Sequence, residues 1–164
     1  MSSDSAPGGV NQVVRIMKTR RKILIVGLFT YVVAWFLPVI TSGTTLASGR
    51  LPGWEALRLA LVPIVPYHGF TSSMSWGSVF SVISGLTNLL MVGGAFILLR
   101  TAGPAPRFLS VSLAAAAALN TWWYFEGSLR ADLLIGYYMW VLSFFIVAVA
   151  SRRHVRGPKR TPAN

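Results

Sequence analysis

Four stretches of this 164-residue chain contain no charged residue: 23–40, 78–99, 108–125 and 133–150. Each is at least 18 residues long, and about 20 apolar helical residues cover the roughly 30 Å of hydrocarbon in a bilayer. A helix surrounded by lipid must satisfy its own backbone, so stretches of this length are expected to be helical. The connections between the last three stretches are short, which favours antiparallel neighbours. The pattern predicts an all-α membrane protein: a four-transmembrane-helix up-down bundle, with a short interfacial helix in the first outer loop.

The placement of charge supports this reading. Only 12% of the residues are charged, against about 25% in an ordinary soluble domain. They sit between the uncharged stretches and at the ends, not along amphipathic faces. The net charge is +11. If the chain crosses four times, all fifteen basic residues except Arg50, Arg58 and Arg130 fall on one side. This positive-inside pattern predicts a multi-pass protein of a bacterial inner membrane with both termini cytoplasmic. Anionic lipids are the expected partners of the basic face, and no nucleic-acid partner is expected. The chain has no cysteine, which excludes disulfides, thiolate metal sites and intramembrane dithiol chemistry.

Three regions follow. Residues 1–22 form a basic tail whose first fourteen residues are small and polar, an expected disordered segment, with Met17 as a second candidate start. Residues 23–150 form the membrane domain. Residues 151–164 form a second basic tail. The first stretch has the basic lead of a signal peptide, but its uncharged run exceeds the usual 7–15 residues, so it is expected to be retained. Residues 41–77 form the long outer segment. Within it, 41–50 read as a loop and 51–62 as a turn into a short helix ended by Pro63 and Pro66. Glu55 and Arg58 are spaced to pair on that helix.

Small residues on the long stretches predict close helix packing. The candidate packing positions are Ser81, Gly85, Asn88, Ala114, Ala118, Asn120 and Ser143. Asn88, near the middle of its stretch, needs a polar partner. Asn120 reads as nearer the outer face, so the two need not meet. Ser143 is placed to bond a neighbouring helix.

The tryptophans are the most asymmetric feature, because all six fall on the outer half. A belt at the membrane interface explains several of them; the deeper Trp140 is explained first by internal aromatic packing, with an aromatic-lined outer pocket as the alternative. The candidate ligand- or partner-binding set is Trp35, Trp54, Glu55, Trp122, Trp123, Glu126, Arg130, Tyr137, Tyr138 and Trp140. Glu126 and Arg130 are spaced to pair with each other, and Asp132 joins them in the outer charge set. No P-loop, dinucleotide fingerprint, metalloprotease motif or nucleophile elbow occurs. No metal-ligand set is expected, no catalytic residue can be assigned, and no particular cofactor is indicated. His68 and His154 lie outside the uncharged stretches. With no Asp, Glu or Lys inside them, a proton-coupled transporter built from this chain alone is disfavoured.

Several fragments occur in a familiar order: Tyr31-Val-Val-Ala-Trp35-Phe-Leu-Pro38, Leu51-Pro-Gly-Trp-Glu55, Leu86-Thr-Asn88-Leu89, and Gly136-Tyr-Tyr-Met-Trp140-Val-Leu-Ser143-Phe144. Over most of residues 23–150 the chain resembles a loose group of small bacterial four-span inner-membrane proteins of unassigned activity. Those relatives often carry proline after the asparagine of the second span, where this chain has Leu89. The resemblance implies an inner-membrane location and supplies no activity.

Small size, short connections and packing faces lead to the first functional expectation: a non-enzymatic accessory, assembly or stabilising subunit of a larger membrane complex, such as a respiratory or photosynthetic one. The aromatic cluster gives the alternative of a lipid- or quinone-binding enzyme or carrier. A homo-oligomeric channel is a third, requiring Asn88 to face a pore.

Overall fold

The computed structural model describes residues 8–42, 49–65, 76–101, 106–126 and 130–152. Among them are five α-helices and one two-stranded ribbon, in the order α1 (Gly8–Phe36), β1 (Pro38–Ser42), β2 (Gly49–Pro52), α2 (Gly53–Ala60), α3 (Trp76–Arg100), α4 (Arg107–Phe125) and α5 (Ile135–Arg152), with a 3₁₀ turn at Arg130–Asp132. Two helices, α3 and α5, are long and apolar enough to cross a membrane, with mean hydropathies of 2.0 and 1.5.

The other two long helices differ from the expected spans for local reasons. The first uncharged stretch does not remain helical to Ile40. Pro38 lacks an N–H and forces the residue before it away from helical geometry, so α1 stops at Phe36 and β1 begins at Pro38. The uncharged part of α1 therefore shortens, while its N-terminal half carries Arg15, Lys18, Arg20, Arg21 and Lys22. That basic segment is helical from Gly8, a correction to the expected disordered tail; residues 1–7 lie outside the described residues. In α4, Asn120, Thr121 and the polar-tipped aromatics Trp122, Trp123 and Tyr124 dilute the apolar character of the last two turns.

The segment after Pro38 is a β-ribbon, where the sequence reads as a loop. β1 and β2 pair antiparallel, with Pro38 opposite Pro52, Ile40 opposite Leu51 and Ser42 opposite Gly49. The facing prolines close the ribbon where it meets the helices, a position that needs no ladder N–H from them. Ile40 also bridges to Leu133, and the Leu134 N–H donates to the Val39 carbonyl at 2.8 Å. β1 thus ties the end of α1 to the start of α5.

The short helix forms where expected. Its Leu61 N–H donates to the Leu57 and Arg58 carbonyls, and Pro63 prevents regular continuation. No residue of α2 is buried; it lies over the ends of the long helices as a cover. Gly53 allows it to sit there, since a Cβ at this position would lie 2.7 Å from the Ala34 carbonyl oxygen.

The long helices pack mainly as α1 on α5, α5 on α4 and α4 on α3, with α3 touching α1 only lightly. The core runs from Leu24, Leu98, Leu109 and Ala150 at the basic end through Met91, Leu113 and Val147 to Tyr31 and Phe144. The partition of side chains is reversed from that of a soluble bundle. Ser84, Thr87, Asn88, Ser110, Asn120, Ser143 and Ser151 are buried. Phe29, Val32, Leu89, Val92, Phe96, Phe108, Val111, Leu142, Phe145 and Val149 are exposed.

The predicted packing positions divide. Asn88, Asn120, Ser143 and Gly85 are buried, Ser81 and Ala114 are half-buried, and Ala118 is exposed. Ala116 and Ala117 fill the interface instead. Gly85 faces Leu57 and Leu61 of the covering helix, not another long helix. Ser143 donates to the Trp140 carbonyl of its own helix at 2.6 Å, which corrects the expected interhelical bond.

Candidate functional site: an aromatic cavity beneath the ribbon

A cavity of about 420 Å³ lies between the ribbon, α2 and the ends of α1, α3, α4 and α5. Its size falls in the range of small-molecule sites. Trp35, Trp123, Tyr137 and Trp140 form its aromatic walls, Ala56, Leu57 and Ala60 its roof, and Ser81, Ser84, Gly85 and Asn88 one polar side. Positions 81, 84, 85 and 88 recur at helical spacing, so they share one face of α3.

Asn88 is the centre of a hydrogen-bond network. Its Oδ1 accepts from Tyr31 Oη of α1 and from Trp140 Nε1 of α5, each at 2.9 Å. Its Nδ2 donates to the Gly85 carbonyl at 2.9 Å. Two donors on one oxygen fix which end of the amide is which. One turn away, the fully buried Asn120 of α4 repeats the arrangement. Its Oδ1 accepts from Ser84 Oγ at 2.7 Å and its Nδ2 donates to Thr87 Oγ1 at 3.0 Å. Thr87 Oγ1 donates to the Ser84 carbonyl, and Trp123 Nε1 donates to Ser84 Oγ at 3.2 Å. Tyr137 Oη donates to the Asn120 carbonyl at 2.7 Å. The two asparagines thus anchor separate hydrogen-bond clusters on neighbouring positions of α3, one reaching α1 and α5 and the other α4 and α5.

The aromatic rings form a second, continuous layer. Trp35 meets Tyr31 edge-on at 5.9 Å between centroids, Tyr31 meets Phe144 at 6.3 Å, and Phe144 meets Trp140 at 5.7 Å. Tyr137 follows at 6.3 Å from Trp140. Edge-to-face pairs of this kind add about 0.5–1.5 kcal/mol each beyond area burial, so the walls keep their shape without a ligand.

Of the predicted binding residues, Trp35, Trp123, Tyr137 and Trp140 meet at the cavity. Trp54, Trp122, Tyr138, Glu126 and Arg130 are exposed, and Glu55 is half-buried on α2. Trp122 stacks on Phe80 at 5.9 Å, facing away from the cavity. The predicted Glu126–Arg130 pair is replaced by a ring contact: Arg130 donates to Tyr124 Oη at 2.7 Å, with its guanidinium 4.6 Å from that ring's centroid. The outer charge set therefore does not converge, and Asp132 is the one carboxylate lining the cavity among the described residues. Sequence reasoning missed the cavity role of Ser84 and Asn88, and the contributions of the ribbon residues Val39, Ile40 and Leu51. The helical spacing of 81, 84, 85 and 88 carried the signal for the α3 side.

Ser84 gives its proton to the Asn120 amide oxygen, and among the described residues no base stands beside it to prepare it as a nucleophile. Among the described residues no cluster of His, Asp or Glu could hold a metal ion; His68 and His154 lie outside them.

No protein-family model matches the chain, and neither a curated protein nor a solved structure is significantly similar to it.

Proposed function

We propose that this is a multi-pass membrane protein that binds a lipid-soluble ligand at one end. The cavity carries the functional reading: a partly open, mostly apolar space with an aromatic wall, one oriented amide, and a roof helix that buries no residue of its own. Such a space, with few and fixed polar groups, suits an apolar ligand held in one orientation.

The membrane reading rests on the reversed partition of side chains. In α3 and α5 only 44% and 50% of the apolar windows are buried. A core helix of a soluble protein would be buried more completely, whereas lipid-facing helices leave apolar side chains outward. The outward residues of α1 (Ile25, Val26, Phe29, Val32) and α4 (Phe108, Val111) are equally apolar, so these two helices cross as well, with the ribbon completing the passage of α1. The basic ends of α1, α3, α4 and α5 then lie together on the cytoplasmic side of a bacterial inner membrane, against anionic lipid.

A second reading, as an accessory subunit of a larger complex, is favoured by one feature of α3. A Cβ at Gly93 would meet nothing within 4 Å, and Leu89 and Phe96 stand exposed beside it. This notch can seat a side chain of another membrane helix. The two readings are compatible, since a subunit can hold a ligand.

Affinity purification from carbonate-washed native membranes, followed by native mass spectrometry, tests the proposal. The expected result is retention in the washed membrane and a bound small lipid that is lost in Ala60→Phe, which fills the cavity from its roof. Release by carbonate would refute the membrane assignment. An unliganded mass for the wild-type protein would refute the ligand assignment. Large subunits co-purifying in stoichiometric amount would support the accessory role.

A further inference from the structure

We infer that the cavity selects an uncharged ligand presenting a carbonyl oxygen on a flat conjugated ring, the chemistry of a quinone; this rests on the pocket reading above. Three observations lead to it.

The first is charge. Among the described residues no Lys, Arg or His lines the cavity, and its one carboxylate is that of Asp132. A phosphate or carboxylate placed here would lose its water and gain only a like charge as neighbour. Anionic head groups are thereby excluded, although anionic lipids suit the opposite end of the molecule.

The second is the balance of donors and acceptors. Asn88 Oδ1 is occupied by two donors, and Ser84 Oγ donates to Asn120 while accepting from Trp123. The primary amide of Asn88 carries two protons, and one of them goes to the Gly85 carbonyl. The other proton, with the Ser81 hydroxyl on the same face of α3, is what the α3 side of the polar wall can donate. Both can donate, so on the α3 side the matching group on the ligand is an acceptor that needs no charge, while the Asp132 carboxylate and the Thr41 hydroxyl supply acceptors elsewhere in the lining. Tyr31 and Trp140 hold the amide in the orientation that presents nitrogen, not oxygen, as its donor end.

The third is shape. Three indoles and a phenol ring surround the space, held by edge contacts with their neighbours. Flat π faces of this kind pack on a conjugated ring better than on branched acyl chains. An isoprenoid or alkyl tail would leave between α1 and α3, which touch only lightly.

The test uses the purified full chain in nanodiscs, with three probes besides decylubiquinone: oleate, dodecylamine and dioctanoylglycerol. Binding is read by calorimetry and by native mass spectrometry. Decylubiquinone is expected to bind at one site per chain, and oleate not to bind there. Asn88→Asp keeps an acceptor for Tyr31 and Trp140 but replaces the donating nitrogen by oxygen; it is expected to weaken quinone binding at least tenfold. Ser81→Ala, outside the network, is expected to weaken it severalfold with folding unchanged, which keeps the test decisive if Asn88→Asp is unstable. Tighter binding of oleate, dodecylamine or dioctanoylglycerol would overturn the ligand class and leave the pocket reading standing. No binding of any probe, with the same thermal stability in Ala60→Phe and wild type, would overturn both.

Discussion

Gly136 lies against the carbonyl of Pro38, so that a Cβ built on it would be 2.7 Å from the Pro38 oxygen and 2.9 Å from that of Leu37. The start of α5 and the break after α1 are therefore in direct backbone contact, and neither side has a flexible group to move. Gly136→Ala is expected to destabilise the protein by about 1–3 kcal/mol, as overpacking of a rigid site does. At Gly94 the obstacle is the Leu109 Cδ1 tip at 2.9 Å, which can rotate, so Gly94→Ala should cost less. Gly93 faces open space, and Gly93→Ala should be neutral or stabilising by about 0.5–1 kcal/mol through helix propensity. Thermal unfolding in detergent gives the order; a Gly93 variant less stable than the Gly136 variant would contradict the packing described.

Removing the shared acceptor of two helices should matter more than removing either donor. Asn88→Leu leaves Tyr31 Oη and Trp140 Nε1 buried without their oxygen, at about 1–3 kcal/mol for each donor so stranded. Bonds between membrane helices average nearer 0.6 kcal/mol, so the total is expected near the low end. Adding Tyr31→Phe to Asn88→Leu should recover part of the loss. A double-mutant cycle measures this directly; strict additivity would mean that the bond contributes nothing.

The absence of cysteine gives an unobstructed background for labelling. Glu126→Cys stands at the ribbon end, and Lys18→Cys and Arg152→Cys at the basic end; all three native residues are exposed. With a membrane-impermeant maleimide on intact cells, Glu126→Cys is expected to react at once. The other two should react only after permeabilisation. Immediate reaction of all three would rule out the proposed crossing.

Arg130 spends its guanidinium on the Tyr124 ring and hydroxyl. An exposed contact of this kind contributes about 0.5–1 kcal/mol. Arg130→Ala and Tyr124→Phe should therefore each lower stability modestly, while Glu126→Gln should leave it unchanged at any salt concentration. A salt-dependent loss in Glu126→Gln would restore the ion pair that the spacing suggests.

The sequence revealed elements whose signals are local. Pro52, Gly53 and Pro63 bracket α2, and the long uncharged runs of α3 and α5 stand out without any partner. The ribbon was not legible, because its pairing depends on Pro38 stopping α1 early and on Leu133 and Leu134 arriving from far along the chain. Pro38 signals the stop locally, but the arrival of Leu133 and Leu134 is not encoded in residues 38–52. The face of α4 was also hidden: in the run 114–118 every residue is alanine, so composition cannot tell the buried Ala116 and Ala117 from the exposed Ala118. The cavity was half legible. Tryptophan placement pointed to Trp35, Trp123 and Trp140, but the approach of the Asn120 cluster to Ser84 and Thr87 of α3 needed the depth at which α3 and α4 meet.

The most extensive helix contact in the molecule, between α1 and α5, has a consequence for biosynthesis. Of the long helices described, the earliest in the chain finds its principal neighbour in the latest. Until α5 arrives, Tyr31 and the α1 side of Asn88 lack their final surroundings, and Gly27 has no Val147 to rest against. This bundle therefore closes only after α5 has been made, and a chain interrupted before residue 135 would present α1 with an open seam.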